Sequence, residues 1–269
     1  MTIRWPSEAI WQAVAPRVPG FTVEVLPQLD SSNSELLRRA RQGRTEPVLL
    51  VAERQLAGRG RLGRDWHSDA DRGLGTLTFS LGLPLCPADW SGLSLAVGLA
   101  VVQSLHPALQ LKWPNDVWLQ DRKLGGILIE TTSVGDVRYA VIGIGINIQP
   151  RPAAGLRTPP AALVELLPQA DAPATLLALL PALVQGVQAF EAAGFAALRS
   201  AFHSRDALYG RQVVCADGST GTARGVDALG ALLLHTACGL QKISSAEVSV
   251  RPLATGASLA AWTTGTGAD

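Results

Sequence analysis

Residues 109–148 read LQLKWPNDVWLQDRKLGGILIETTSVGDVRYAVIGIGINI and contain four apolar runs separated by short polar turns. Apolar runs of this length, bounded by turn residues, are typical of β-strands. Helical patterns flank these strands, and several of the connections are too short for a helix. The sequence therefore predicts an α+β domain with a mixed sheet. The four predicted strands cover 109–113, 117–120, 127–131 and 137–148.

Further helices and strands are predicted on both sides of this stretch. Ser32 followed by Glu35 fits a capping box and Gly43 fits a helix stop, so a helix is predicted between them. Strands are also predicted at 48–52 and 74–83, and helices at 93–105, 176–191 and 195–207.

From Gly210 onward the apolar runs of the sequence become shorter and more closely spaced. Short strand-like runs separated by turn dipeptides predict a small β-barrel here. These runs cover 212–215, 220–226, 232–235 and 247–251. We therefore predict a larger domain over residues 1–208, the barrel over 209–254 and a disordered tail over 255–269.

The composition excludes several classes of protein. The chain has 269 residues, of which 47% are apolar and 17% charged, and its formal net charge is +1. A nucleic-acid-coating protein would carry a large basic excess, and a disordered chain would have fewer apolar residues. The three cysteines form no CxxC pair, and the N-terminus lacks the apolar core of a signal peptide. We expect a folded cytoplasmic protein with reduced thiols and no membrane span.

The segment GRGRLGR, residues 58–64, combines three glycines with Arg59, Arg61 and Arg64. Glycine lets backbone N–H groups approach an anion closely, and arginine grips phosphate or carboxylate oxygens bidentately. The pattern therefore suits a nucleotide phosphate held beside a carboxylate. The segment lacks the GK[ST] of a phosphate-binding Walker loop, and by itself it leaves open an exposed basic loop or a nucleic-acid-binding arm.

Other segments carry further candidate binding groups. Lys123 begins the apolar run KLGGI, where its ammonium could neutralise charge on an α-phosphate. Asp116 in KWPND could bind Mg²⁺ or orient an amine, or could form a plain Asx-turn. Asn147 in GIGIN could present its amide to a base or ribose, or lie in a buried strand. The run Ser31-Ser32-Asn33 could cap a helix or bind a polar ligand at a helix start.

The four histidines are scattered along the chain as His67, His106, His203 and His235. No nucleophile–base constellation and no metal-ligand spacing is evident. This argues against a hydrolytic triad and against zinc catalysis, and no metal site is predicted.

In their order along the chain, the motifs resemble the catalytic core of biotin protein ligases. The matching elements are Asp30-Ser31-Ser32-Asn33, Glu53-Arg54-Gln55 leading into GRGRLGRDW, KWPNDV, KLGGILIE and GIGINI. The resemblance covers residues 25 to 253, and the combination of GRGRLGR, KWPND and KLGGILIE is its most specific part. It implies a mixed-sheet catalytic domain of the class II synthetase-like type, followed by a small SH3-like barrel.

By this resemblance the chain would join biotin and ATP into biotinyl-5′-AMP, with Mg²⁺, and release pyrophosphate. It would then transfer biotin to one lysine of a biotin carboxyl carrier domain. Members that also bind DNA carry a winged helix-turn-helix domain ahead of the core. Only the first 25 residues precede the core here, so we expect no DNA binding. The resemblance leaves a homodimer open.

Other interpretations come from different classes of protein. A lipoate or octanoate protein ligase uses the same acyl-adenylate chemistry on a related fold. A non-catalytic member of the fold would bind without reacting. A DNA-binding repressor is disfavoured by the balanced charge.

The resemblance also implies roles for individual residues. Implied biotin contacts are Ser31, Ser32, Asn33, Gln55, Arg59, Gly60, Arg61, Lys123, Gly125 and Gly126. Implied nucleotide contacts are Arg59, Arg61, Arg64, Trp66, Lys112, Asn115, Lys123 and Asn147. Implied catalytic residues are Lys123, Arg61 and Asp116.

Overall fold

A seven-stranded mixed sheet forms the centre of the fold, with strand order β1-β2-β3-β7-β6-β5-β4. The computed structural model describes residues 3–67, 75–153, 156, 158–244 and 250–253. Within the sheet, β1 and β2 pair in parallel and the other neighbours pair antiparallel. The predicted α+β mixed-sheet fold is confirmed. The strands are β1 (Thr22–Leu26), β2 (Val48–Ala52), β3 (Thr76–Pro84), β4 (Gln110–Lys112), β5 (Asp116–Leu119), β6 (Arg122–Val134) and β7 (Val137–Asn147).

Strand β6 begins at Arg122, earlier than the predicted start at residue 127. The reason lies in the turn before it, where Gln120 and Asp121 have φ of 49° and 62°. Two successive residues of positive φ form the tight hairpin turn whose twist matches antiparallel strands. Leu119 therefore pairs directly with Arg122, and Lys123 lies inside a strand.

The two faces of the sheet have different chemistry. In β3 the side chains of Leu77, Phe79 and Leu81 belong to the large apolar core. Thr78 and Ser80 alternate with them and lie on the opposite face, because successive side chains of a strand point to opposite sides. The sheet thus has one apolar face, covered by helices, and one face on which buried polar groups are available.

Helices cover both faces unequally. The helices are α1 (Ser7–Val14), α2 (Ser32–Arg41), α3 (Leu93–Leu105), α4 (Ala172–Ala193) and α5 (Arg199–His203). Helices α3 and α4 pack against each other and bury the apolar face. Helix α2 packs on the other face through a small cluster that includes Leu36, Tyr139 and Val141. Because α2 is short, it leaves the middle of that face open for a cavity.

Helix α4 is long and apolar enough to cross a membrane, by length and composition alone. Its apolar side chains are instead buried inside this fold: Leu176, Leu180, Leu183 and Phe190 are each fully buried. The helix contacts α3, α1 and β3. These contacts identify α4 as a core helix.

The first turn of α2 differs from its prediction by one residue. The N-cap is Ser31, whose Oγ accepts a hydrogen bond from the backbone N–H of Ser34 at 3.4 Å. Ser32 was predicted as the cap, and this is wrong because its hydroxyl donates to Gln55 Oε1 at 2.9 Å. The shift frees Ser32 for a buried polar network.

The helix predicted at 195–207 is confirmed only in its first part and is wrong after His203. The chain forms a 3₁₀ turn at Ala196–Leu198 and the short α5, and then leaves the helix. Residues after α5 bind the edge of β4 instead: Leu111 N–H donates to Arg205 O at 2.7 Å, and Ala207 N–H donates to Leu111 O at 2.9 Å. This pairing satisfies the backbone of an edge strand, and a helix would not allow it.

The C-terminal part forms a five-stranded antiparallel sheet of order β11-β10-β9-β8-β12. Its strands are β8 (Gln212–Cys215), β9 (Thr220–Val226), β10 (Leu232–Thr236), β11 (Gly239–Ile243) and β12 (Val250–Pro252). Strand β11 escaped prediction because it is an exposed edge strand that includes Leu240, Gln241 and Lys242, without apolar alternation. The predicted tail, residues 255–269, lies outside the described residues.

The C-terminal sheet is attached to the turn that follows β4. The indole Nε1–H of Trp113 donates to Gly230 O at 3.0 Å, and Trp113 is fully buried. Arg211 forms an ion pair with Asp121 at 2.5 Å, on the neighbouring hairpin. The small sheet therefore braces the part of the large sheet that carries KWPND.

Replacing Leu180 with alanine tests the contribution of α4 to the core. Leu180 is fully buried, so Leu180→Ala should leave a cavity and lower the free energy of unfolding by about 2–5 kcal/mol. Urea denaturation at pH 7 measures this. Leu240→Ala makes the same chemical change at a side chain that is 59% exposed and should cost about 0.5 kcal/mol or less. Equal losses in the two variants would contradict the assignment of α4 as a core helix.

Candidate active site

A cavity opens on the polar face of the large sheet, between α2 and the Gly/Arg loop. Its floor is formed by β3, β6 and β7, and its rim by residues 59–66. The predicted residues that line it are Ser31, Ser32, Asn33, Gln55, Arg59, Gly60, Arg61, Arg64, Trp66, Asn115, Asp116, Lys123 and Gly126. Segments far apart in sequence are thus brought to one place.

Two glycines of GIGIN, Gly143 and Gly145, leave the floor of the cavity free of side chains. A Cβ at Gly143 would lie 2.2 Å from Asn33 Oδ1, and a Cβ at Gly145 would lie 2.3 Å from the indole ring of Trp66. Contacts this short do not occur between real atoms, so any side chain here would displace Asn33 or Trp66. These glycines are required for close approach across the sheet.

A buried polar network lines the inner end of the cavity. Gln55 Oε1 accepts from the backbone N–H of Ser32 at 2.7 Å and from its hydroxyl at 2.9 Å. Ser80 Oγ lies 2.7 Å from Ser32 Oγ and 2.6 Å from Asn33 Oδ1. Ser32, Asn33 and Ser80 are each at most 3% exposed. Because these groups are buried and hydrogen-bonded, their positions are fixed before any ligand arrives.

The Gly/Arg loop folds back on itself. Gly60 N–H donates to Arg64 O at 2.6 Å, and Trp66 N–H donates to Gly58 O at 2.8 Å. The indole Nε1–H of Trp66 then reaches Thr78 Oγ1 at 3.3 Å, which holds the ring over the sheet. These hydrogen bonds order the loop of residues 58–66, which we call the flap, and fix its base to the sheet.

The arginines of the loop have different surroundings. Arg59 forms an ion pair with Glu130 at 2.7 Å and its side chain is 43% exposed. Burial lowers the pKa of the Arg61 guanidinium, and the attraction of Asp116 opposes that shift without cancelling it. Arg61 and Asp116 line the same cavity.

Asp116 lies between two lysines at the outer end of the cavity. Its Oδ1 is 2.7 Å from Lys123 Nζ, and its Oδ2 is 3.5 Å from Lys112 Nζ. Burial acts to raise the pKa of Asp116, but the two ammonium groups outweigh burial and hold the pKa below its ordinary value. Burial lowers the pKa of Lys112, against the attraction of Asp116. Lys112 also lies 5.6 Å from the centre of the Trp118 ring, a cation–π distance.

A second, larger cavity adjoins the first and shares Lys123 with it. Its charged lining has a positive excess, because Arg64, Lys112, Lys123, Arg151 and Arg251 outnumber the aspartates Asp65, Asp116 and Asp121. Two predicted nucleotide contacts, Lys112 and Asn147, lie here and not in the first cavity. The second cavity is therefore suited to a polyanion.

Two residues predicted to contact a ligand, Asn147 and Gly125, instead stabilise the fold around the site. Asn147 Nδ2 donates to Lys123 O at 3.2 Å and to Ala161 O at 3.0 Å, so its amide N–H groups hold the backbone. Gly125 lies outside both cavity linings, and a Cβ there would be 2.6 Å from Gly145 O. It permits close packing of β6 on β7.

Several site residues escaped sequence reasoning. Thr78 and Ser80 were visible only as the polar half of an alternating strand, and Glu130 as the one acidic residue in KLGGILIE. Arg151 had no signal, because it reaches the second cavity from a connection outside the motifs. Among the described residues, no group of three or more histidine, cysteine or acidic side chains could hold a metal ion.

The mixed sheet thus carries two adjoining cavities that share Lys123, and the class of protein follows from comparison with known families. Residues 25–147 match the biotin/lipoate A/B protein ligase family, and residues 210–251 match the biotin protein ligase C-terminal domain.

Named relatives narrow the class further. The chain is 36% identical to the biotin–[acetyl-CoA-carboxylase] ligase of Paracoccus denitrificans over 240 residues, which are 83% of this chain and 98% of that protein. It is 35% identical to the bifunctional ligase/repressor BirA of Escherichia coli, over 87% of this chain and 76% of BirA. The biotin protein ligase of Aquifex aeolicus, solved with biotin and ATP, has a TM-score of 0.73 and 30% identity, over 86% of this chain and 99% of that one. The chain belongs to the biotin protein ligase family.

Asp116→Asn tests the buried charge cluster. At pH 7 the substitution should lower the free energy of unfolding by about 3–5 kcal/mol, because it leaves the buried Lys112 without its counter-charge. The pKa of Asp116 is depressed in the folded state, so its stabilisation is fully present above its unfolded value of about 3.9. It is lost as the pH falls through the lower folded value.

Urea unfolding at pH 7, 5, 4 and 3 should therefore show a constant gap between wild type and Asp116→Asn down to pH 5, and a closing gap below pH 4. Asp136→Asn changes an exposed turn residue and serves as the control. A gap that stays constant down to pH 3 would contradict the charge pairing.

Proposed function

We propose that this enzyme joins biotin to ATP, forming biotinyl-5′-AMP and pyrophosphate, and then transfers biotin to a lysine of a biotin carboxyl carrier domain. The observation that carries the proposal is the position of Lys123, which lines both the polar cavity and the cationic cavity. An adenylating ligase needs such a junction, because its acid and its nucleotide must meet at one reacting centre.

The polar cavity suits biotin because its inner end holds fixed hydrogen-bonding groups. The ureido group of biotin has two N–H donors and one carbonyl acceptor. We propose that Ser32, Asn33 and Gln55 bind it, since all three line the cavity and are held in place by hydrogen bonds among themselves and with Ser80 behind them. The acyl chain would then run over the glycine floor, and its carboxylate would reach Arg59, Arg61 and Lys123. Ser31, Gly60 and Gly126 line the same path.

The cationic cavity suits the phosphates of ATP. We propose that the β- and γ-phosphates lie among Lys112, Arg151 and Arg251, and that the α-phosphate lies at Lys123. Trp66, Arg64 and Asn115 are proposed nucleotide contacts at the boundary. Mg²⁺ would enter bound to the ATP phosphates, since Mg²⁺ is usually held by substrate phosphates and one or two carboxylates. Asp65 and Asp116 lie at the boundary, within reach of both cavities.

The first reaction follows from this arrangement. A biotin carboxylate oxygen attacks the α-phosphorus, the new P–O bond forms, and the bond to the β-phosphate oxygen breaks with release of pyrophosphate. Two anions must approach each other, so Lys123 and Arg61 lower their repulsion and stabilise the charge that develops on the α-phosphate. The flap of residues 58–66 covers the reactive adenylate and excludes water.

In the second reaction the lysine amine of the carrier attacks the acyl carbon, and AMP leaves. We propose that Asp116 orients this amine at the cavity mouth. Its depressed pKa keeps it ionised at neutral pH, as an acceptor for an amine N–H must be. No covalent enzyme intermediate is required.

The polar network favours biotin over lipoate or octanoate. A dithiolane ring and an alkyl chain have no N–H donors, so neither acid could form the additional hydrogen bonds that the acceptor oxygens of Ser32 and Asn33 offer to a ureido group. Sites built to hydrogen-bond a substrate reject analogues that lack the group, by large factors. The ATP dependence and three free cysteines are in keeping with a cytoplasmic location.

Exchange of labelled pyrophosphate into ATP tests the proposed function. Purified enzyme with MgATP should catalyse exchange that requires biotin and is not supported by lipoate or octanoate. A second assay should show biotin transfer to a purified carrier domain. Exchange driven by lipoate would assign a different acid, and no exchange with any acid would indicate a non-catalytic member of the fold.

Lys123→Ala tests the junction. Exchange should fall by about 100-fold or more, because a charge donor to the transition state is lost. Lys242→Ala removes an exposed lysine of β11 and should leave exchange unchanged, which makes it the matched control. Wild-type exchange in Lys123→Ala would remove Lys123 from the mechanism.

A further inference from the structure

Glu130 lies on β6 beside the polar cavity, and one of its oxygens is shared by two groups. Its Oε2 accepts from Asn33 Nδ2 at 3.0 Å and from Arg59 Nη2 at 2.7 Å. Asn33 belongs to α2 and Arg59 to the Gly/Arg loop. The Glu130 carboxylate thus joins the helix at the inner end of the cavity to the flap at its rim.

We infer that Glu130 is a positioning residue that fixes which way the Asn33 amide faces, and thereby determines the recognition of a ligand with N–H donors. The inference rests on the proposed function, in which Asn33 binds the ureido group of biotin. Glu130 itself lies outside the cavity lining and is not expected to touch the substrate.

The orientation of the Asn33 amide follows from the groups on its two sides. Its Nδ2 faces two acceptors, the Glu130 carboxylate and Leu128 O at 3.2 Å. A carboxylate and a carbonyl accept hydrogen bonds and cannot donate them. A flipped amide would therefore set its oxygen against two oxygens, so the Oδ1 must point to Ser80 and the floor at Gly143.

The consequence is an acceptor held ready at the inner end of the cavity. With Oδ1 on the cavity side, Asn33 offers its second lone pair to a ligand N–H. Without Glu130 the amide could turn, and its NH₂ group would then face the N–H donors of the ligand. An ionised acceptor makes the stronger hydrogen bond, so Glu130 holds the orientation more firmly than a neutral residue would.

The bond to Arg59 has a separate effect. The Arg59 and Glu130 side chains are 43% and 25% exposed, and ion pairs of this kind contribute little to stability by themselves. Arg59 neutralises the carboxylate and anchors the flap above it. Loss of Arg59 contact alone would affect the carboxylate end of biotin, whereas loss of Asn33 orientation would affect the ureido end.

This difference allows a direct test with biotin and biotin methyl ester, which keeps the ureido group and lacks the carboxylate. Titration calorimetry would measure the Kd of both ligands for wild type, Glu130→Gln and Glu130→Ala. We expect Glu130→Ala to weaken the methyl ester by about ten-fold or more, and biotin by at least that factor, as for other buried hydrogen-bonding groups left misoriented. Glu130→Gln keeps the side-chain shape and can still accept from Asn33, so it should restore part of the affinity.

Kinetics separates positioning from a structural role. In the exchange assay Glu130→Ala should raise the biotin KM by the same factor and leave the ATP KM and kcat within about three-fold of wild type. In an Asn33→Ala background, Glu130→Ala should add less than about two-fold, because the group that it positions is already gone. Glu24→Gln removes a similar carboxylate, paired with Arg39 at 2.8 Å outside the cavity, and should change none of these values.

Four results would overturn the inference. Weakened binding of biotin with unchanged binding of the methyl ester would show that Glu130 acts only through Arg59, on the carboxylate end of biotin. Fully additive losses with Asn33→Ala would show that Glu130 acts elsewhere. Unchanged affinity in Glu130→Gln and Glu130→Ala, with biotin-dependent exchange intact, would refute the inference and leave the proposed function standing. No biotin-dependent exchange in wild type would reject both.

Discussion

The Asp116 carboxylate, held between Lys123 and Lys112, is the interaction on which the site depends. It allows two ammonium groups to lie close together at the reacting centre, where they would otherwise repel each other. Its position requires the turn after β4, which is braced by Trp113 on the C-terminal sheet and by Asn115 Nδ2 bonded to Ile127 O at 2.7 Å. The small sheet is thus part of the support of the active centre.

The large sheet separates its structural and chemical tasks between its faces. Alternation in β3 sends Leu77 and Phe79 into the helical core and Thr78 and Ser80 toward the cavity. The apolar face supplies the burial that holds the sheet against α3 and α4. The hydrogen-bonding groups on the polar face are therefore held rigidly, which suits a site that must hold a small ligand before it reacts.

Electrostatics is divided along the cavity in the same way. The inner end holds neutral hydrogen-bonding groups, the middle is glycine, and charged side chains gather at the outer end, where the second cavity with its positive excess begins. A ligand with a neutral polar head and a carboxylate tail fits this gradient in one direction only. The gradient would therefore set the direction of binding and bring the carboxylate to the phosphate.

The sequence by itself determined the strands of the central stretch, the helix at 93–105 and the motifs that carry the family resemblance, because local alternation and turn chemistry are legible over a few residues. Only the tertiary structure decided that residues 205–207 leave a helix to pair with β4, that Ser31 and not Ser32 caps α2, and that Arg151 joins the cationic cavity. The role of Glu130 belongs with these. Each depends on a partner distant in the chain, and a hydrogen bond or ion pair between distant segments exists only once the whole sheet has formed.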